Sequence, residues 1–214
     1  MCAIVGMVGE PDRDEWSETH RLLTALLVAA QVRGRDATGF VAVNRPFKGK
    51  SGGAVIIDKA PLSAADFVEH NAAWKRLRSN RANIVLGHCR LSTSGSPALN
   101  ANNHPHSSDD GRFHLIHNGI VPDHEAIADL HCVKLQTACD TEVLLRLIEA
   151  APRPVDGLAD CLRACGSVGG SMAVAVLDTK HRTSGSAAIA TAHFGFARSK
   201  RNRHGFSLRP RRFC

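Results

Sequence analysis

Met1-Cys2-Ala3-Ile4-Val5-Gly6 opens the chain and places a thiol one residue behind a removable initiator methionine. With Met1 cleaved, Cys2 becomes the N-terminus. One residue then carries a nucleophile and, on its own backbone nitrogen, a free amine able to act as a base. The titration ranges suit that pairing: an α-amino group titrates near ~7.7–8.0 and a thiol near ~8.5, so a useful fraction of the amine is unprotonated at neutral pH. The same six residues also read as the start of a buried apolar strand, and the rest of the chain must decide between a structural and a chemical cysteine.

Working outward, Cys2–Val8 reads as a short strand ended by Gly9-Glu10-Pro11-Asp12. From Asp14 to about Val32, Leu22, Leu23, Leu26, Leu27 and Ala30 recur at helical spacing behind an acid-rich start, which predicts a helix. Arg33-Gly34-Arg35-Asp36-Ala37-Thr38-Gly39 is a glycine-punctuated turn into a strand at Phe40–Val43. Asn44–Gly53 is a polar loop, Ala54–Asp58 a strand, and Ser63–Arg78 a helix with Ser63 as candidate cap. Ala82–Ser92 is a buried strand. Thr93–Gly111 follows, nineteen residues rich in Ser, Asn, His, Pro and Asp, and so long a connection within a domain points to function. Arg112–Val121 is a strand, Pro122–Leu130, Asp140–Ala150 and Pro154–Cys165 are helices, and Gly169–Asp178 carries a last apolar strand.

The 214 residues suit one fairly large domain with an appendage. The longest apolar stretch, near Leu22–Val32, is too short and polar to span a bilayer, and the N-terminus has no charged n-region of a signal peptide. A cytoplasmic protein with no membrane partner is therefore expected. Seven cysteines without framework spacing suit reduced thiols, and no cofactor or metal site is expected from their pattern. The formal charge of +7 is concentrated in the tail: seven of the 27 basic residues lie in the last 17 positions, and the last acid is Asp178.

A thiol nucleophile acting on a free amino acid with a side-chain amide needs a cation for the α-carboxylate, an anion for the α-ammonium and donors for the oxyanion. Arg90 ends a buried strand just before the long loop, Asp140 begins a helix, and Asn118-Gly119 follows a strand. Each has a plain structural reading too: a surface arginine, an acid at a helix N-terminus, a hairpin turn.

Taken in order, the blocks Met1–Gly6, Arg33–Gly39, Gly87-His88-Cys89-Arg90-Leu91-Ser92-Thr93, Asn103-His104-Pro105-His106, His117-Asn118-Gly119-Ile120 and Asp140-Thr141-Glu142 resemble the glutaminase domain of the class II glutamine amidotransferases. This N-terminal-nucleophile group includes glucosamine-6-phosphate synthase. The likeness covers residues 1–150 and fades beyond about Asp178. It implies an α+β fold, a four-layer αββα sandwich of the N-terminal-nucleophile hydrolase type, and an enzyme hydrolysing L-glutamine. On this resemblance the catalytic residues are Cys2, whose own amine relays the proton, and Asn118 and Gly119, whose side-chain amide and backbone N–H form the oxyanion hole. Arg90 binds the substrate carboxylate, Asp140 its ammonium, Thr93 and His104 line the glutamine pocket, and the Thr93–Gly111 loop closes over it.

Three positions depart from the family pattern. Ala3 stands where it has glycine, Leu91 where several members have Trp, and Ser94 where some have His. The expected division is a glutaminase domain at 1–178 and a basic extension at 179–214. Because family enzymes usually carry a synthase domain, the expectation is a stand-alone glutaminase subunit that supplies ammonia to a separate acceptor synthase subunit. A homo-oligomer is compatible with this. The tail reads as a solvated extension, as a nucleic acid contact through Phe194, Phe196, Phe206 and Phe213 interleaved with arginines, or as an out-of-register terminus. Outside catalysis, the alternative is a binding or regulatory protein with a decayed glutaminase site and a nucleic-acid-binding tail.

Overall fold

Period-two alternation along strands that are apolar on both faces sets the architecture. In the computed structural model, which describes residues 2–44, 54–150, 172–179 and 188–194, two four-stranded antiparallel sheets lie face to face. The first is built from β1 (Ala3–Val8), β2 (Ala37–Asn44), β3 (Val55–Ala60) and β4 (Ala82–Arg90), ordered β1-β4-β2-β3. The second has β5 (His106–Ser107), β6 (Phe113–Asn118), β7 (Met172–Asp178) and β8 (Ala188–Phe194) in sequence order. Helices α1 (Arg13–Ala30), α2 (Ala64–His70) and α3 (Ala72–Leu77) cover the first sheet, and α4 (His124–Leu130) and α5 (Glu142–Ala150) the second.

Each strand divides its side chains between two cores. In β2, Phe40 and Ala42 join Trp16, Leu27, Phe67 and Trp74 under the helices, while Val41 and Val43 face the other sheet with Ile84, Leu86, Ile116 and Leu177. In β7, Val174 and Val176 pack on α5 through Val143, Leu144 and Ile148, while Ala175 and Leu177 turn to the inter-sheet layer. The result is the α+β, four-layer αββα sandwich that the resemblance implies.

α1 starts on a capping box: the Asp12 carboxylate accepts from Asp14 N and Glu15 N, and Glu15 accepts from Asp12 N. Leu23 and Leu27 are buried, whereas Leu22 and Leu26 remain exposed, so half of the predicted apolar stripe faces out. The single helix expected over Ser63–Arg78 is broken at Asn71, whose φ of −73° and ψ of 117° end α2 and begin α3. Its side chain accepts from Trp74 N and donates to Asp58, the local backbone competition typical of asparagine. Ser63 caps α2 as predicted.

The Thr93–Gly111 connection is not a bare loop. It contains a 3-10 turn at Asn100–Asn102 and strand β5, and Asn102, Asn103, His104, His106 and Ser108 are buried. β8 lies past Asp178 and pairs along β7 from Met172↔Phe194 to Asp178↔Ala188. The helix predicted at Pro154–Cys165 lies outside the described residues. Cys2, Cys89 and Cys139 are free thiols, but Cys132 is disulfide-bonded. This corrects the expectation of reduced thiols throughout, since spacing in sequence does not reveal which sulfurs the fold brings together. No helix among the described residues is long and apolar enough to cross a membrane.

Candidate active site

The site forms where the first sheet's β1 and β4 pack against β6 of the second. Cys2 sits just ahead of β1, and Ala3 pairs with Cys89 of β4. Antiparallel pairing therefore carries the Cys2 sulfur to the residues just past Arg90. Leu91 N donates to Sγ at 3.4 Å, and the thiol reaches Leu91 O at 3.5 Å. Arg33 Nε holds the Cys2 carbonyl at 3.0 Å. Burial pushes the Cys2 thiol up; the Leu91 hydrogen bond and the charge of Arg90 oppose this, and Asp140 adds to it. One sulfur thus feels both a cation and an anion that the sequence singled out. Ala3 runs in regular β1 pairing with its methyl in the helix-side core, so the departure from glycine fits the strand without strain.

Arg90 is 3% exposed. Its Nη1 donates to Asn103 Oδ1 at 2.7 Å, and its Nη2 donates to the carbonyls of Gly95, at 3.0 Å, and Ser94. All three acceptors are uncharged, so they fix the guanidinium without neutralising it. Asp140 is buried, and its Oδ2 accepts from Val121 N at 2.7 Å, which ties the chain leaving β6 to the start of α5. Asn118 ends β6 opposite Ala173, and Gly119 follows with both residues partly exposed. Thr93 is exposed at the start of the long connection.

His104 is enclosed in a histidine group that joins the two sheets. His88 Nε2 contacts the His117 carbonyl at 2.9 Å, His117 Nδ1 contacts Thr141 Oγ1 at 2.9 Å, and Thr141 Oγ1 lies 3.5 Å from His104 Nε2. The His88 and His104 rings stack with centroids 4.0 Å apart. Burial lowers His88 to about 3 and His104 well below the ordinary value, so both rings are neutral. Their bonds orient the end of β6 immediately before Asn118.

The glycines of the Arg33–Gly39 turn explain how β2 comes so close. A Cβ on Gly34 would stand 2.4 Å from the Arg90 carbonyl carbon, and one on Gly39 2.1 Å from His104 O. Within the same turn, Asp36 accepts from Ser92 N at 2.7 Å. Two supporting residues had no role assigned from the sequence, Asn103, which lies in a family block, and Lys59, which lies in none. Asn103 orients Arg90. Lys59 of β3 donates to Asn103 O at 2.6 Å and Pro105 O at 2.9 Å, and burial lowers its ammonium to about 8. The signal for Asn103 was its place in the Asn103–His106 block, and for Lys59 only a charged residue in a mostly apolar strand. Arg146 of α5 binds Glu142, Asp109 and Glu149, which secures the far end of the connection. Among the described residues, the side chains grouped closely enough for a metal ion are His104, His106 and Cys139.

The family described as glutamine amidotransferase domain matches residues 88–198. Glutamine–fructose-6-phosphate aminotransferase (isomerizing) of Geobacillus kaustophilus is 33% identical over 186 residues, covering 84% of this chain and 27% of that protein. The enzyme of the same name from Bacillus licheniformis is 35% identical over 155 residues, 70% of this chain and 22% of that protein. The chain thus spans about a quarter of the length of these relatives. Among solved structures, the glutamine phosphoribosylpyrophosphate amidotransferase of B. subtilis, complexed with ADP and GMP, superposes with a TM-score of 0.57 at 19% identity. The match covers 84% of this chain and 35% of that one, and it agrees with the layered fold.

Proposed function

The chain belongs to the glutamine amidotransferase family, in its class II, N-terminal-nucleophile form, and from that premise we propose that it hydrolyses L-glutamine to glutamate and ammonia with Cys2 as nucleophile. The observation that carries this reading is that the buried Cys2 sulfur, held at Leu91 just past Arg90, lies within electrostatic reach of both Arg90 and Asp140. A zwitterionic amino acid needs both charges, and the thiol feels both.

In this mechanism Cys2 Sγ attacks the side-chain amide carbon. The thiol proton passes through the α-amine, freed by removal of Met1, to the departing nitrogen. The C–N bond breaks, ammonia leaves, and the acyl group remains on sulfur as a thioester. Water then adds to the thioester, returns a proton to sulfur and releases glutamate. Because burial raises the thiol, a base within the same residue is of direct use. The Asn118 amide and Gly119 N–H stabilise the oxyanion. Arg90 takes the α-carboxylate and Asp140 the ammonium, with Thr93 and His104 on the pocket wall. The ammonia passes to a separate acceptor enzyme in the cytoplasm, with a sugar phosphate as the acceptor class to test first, given the names of the relatives.

Glutamate release should fall on the order of 10^3-fold or more in Cys2→Ala, and intact mass should show that the active wild type has lost Met1. Equal rates, or activity in a chain that keeps Met1, would overturn the mechanism. Pull-down from the native host should recover the acceptor enzyme.

A further inference from the structure

Beneath the connection between β4 and β6, three side chains that carry metal-ligating atoms are grouped together. His104 and His106 come from that connection and Cys139 from the turn before α5. Their ligand atoms all lie within 4.8 Å of one another, and all three residues are buried. His104 Nδ1 and His106 Nε2 are enclosed with no hydrogen-bond partner, although each residue is only 3% exposed. Cys139 is a free thiol, 1% exposed, that approaches Asp140 Oδ1 at 3.8 Å and is hydrogen-bonded by Thr141. Enclosed polar atoms are normally satisfied, and two unpaired ring nitrogens on residues grouped with a thiol need an explanation.

We propose that His104, His106 and Cys139 form a zinc-binding site. A mixed set of two imidazoles and one thiolate is a zinc donor set. Tetrahedral bonds of about 2.0–2.1 Å to nitrogen and 2.3 Å to sulfur put the donors roughly 3.3–3.7 Å apart, so closure by roughly 1 Å assembles the site. Both imidazoles are buried, and a neutral ring is the form that binds metal. Binding exchanges the Cys139 proton for the ion and releases that proton to solvent. Lys59, Arg90 and Arg146 bring positive charge to the surroundings, and Asp140 and Glu142 bring negative charge. The thiolate formed on binding adds to the negative side.

Three protein ligands leave a fourth coordination position open. The ion would fasten the connection carrying His104 to the turn carrying Asp140, and so brace the wall of the pocket. The proposal goes beyond the glutaminase reading and stands without it, because its test reads metal binding. Sequence spacing conceals the site: two histidines two positions apart and a cysteine 33 residues beyond the second follow no zinc-finger pattern.

The test uses the full chain, stripped with a chelator and titrated with Zn2+, and with Co2+ as a spectroscopic probe. One equivalent should bind, and the cobalt form should show tetrahedral visible bands with a thiolate-to-metal charge-transfer band. Cys139→Ser should abolish that band and weaken zinc binding at least tenfold, and His106→Gln should weaken binding similarly. An N-terminal cysteine is itself a chelator, so Cys2→Ser must keep both the band and the stoichiometry. Zinc should also raise the unfolding temperature of wild type and not of the two site variants. If Cys139→Ser fails to fold by circular dichroism, His106→Gln carries the comparison. Absence of stoichiometric binding, or a band that survives Cys139→Ser and disappears with Cys2→Ser, would overturn the site.

Discussion

Arg90 shows how a buried cation is kept available for a ligand. Its guanidinium is held by an amide oxygen and two backbone carbonyls, all neutral, on Asn103, Ser94 and Gly95. Exchanging one of these for a carboxylate would keep the geometry and consume the charge. On the proposed role of Arg90, Asn103→Asp should raise KM for glutamine by a factor of roughly 10–150, the equivalent of about 1.5–3 kcal/mol for a hydrogen bond to a charged group. The loss should fall on KM more than on kcat, and Asn103→Ser, which keeps a neutral acceptor, should recover part of it. An unchanged KM in Asn103→Asp would show that Asn103 does not position the substrate cation. The sequence picked out Arg90 and Asp140 because charged residues at element ends are conspicuous, and the fold brings both to Cys2. It did not pick out Lys59, whose partners Asn103 and Pro105 lie 44 and 46 residues away and are backbone carbonyls. Contacts to backbone over such separations leave no residue-type pattern to read.

At the scale of elements, strands and helix starts were legible and interruptions were not. The capping box at Asp12–Glu15 and the apolar run of β4 are local signals. The break at Asn71 depends on Asp58 of β3, and β5 depends on pairing His106 and Ser107 with Leu115 and His114. α1 has a further tertiary feature in His20, whose ring lies between Trp16 and Trp74, with centroids 6.0 and 5.3 Å away, and whose Nε2 is 3.3 Å from Trp74 O. Burial lowers its pKa below the ordinary 6.5, and the Trp74 carbonyl only partly restores it. Between the folded and unfolded values the unfolded chain binds a proton that the folded chain refuses, so stability rises with pH there and is lost as pH falls through about 6.5. The slope is bounded at about 1.4 kcal/mol per pH unit for this one group. Denaturant midpoints at about pH 7.5 and about pH 5.5 should therefore separate further for wild type than for His20→Gln. Parallel shifts in the two proteins would show that His20 does not contribute.

At the scale of the whole molecule, the layer between the sheets holds together the two halves of the site. Val41, Val43, Ile84, Leu86, Ile116 and Leu177 fill it, and the His88–His117 bond crosses it at the end where Asn118 sits. The sequence showed these strands as apolar runs, but a run buried on both faces does not reveal which side chains meet a helix and which meet a sheet. That assignment came only with the register, for example Leu177 opposite His114 and Ile189. Because protein interiors pack densely, a truncation here is felt by both sheets. Leu177 is 0% exposed, so Leu177→Ala should destabilise the protein by about 2–5 kcal/mol. Val8 of β1 is 69% exposed, and Val8→Ala should stay within about 0.5 kcal/mol of wild type. Urea unfolding should resolve the two as a large and a negligible shift in midpoint at unchanged m-value. A loss at Leu177 no greater than at Val8 would mean that the two sheets are not joined through this layer.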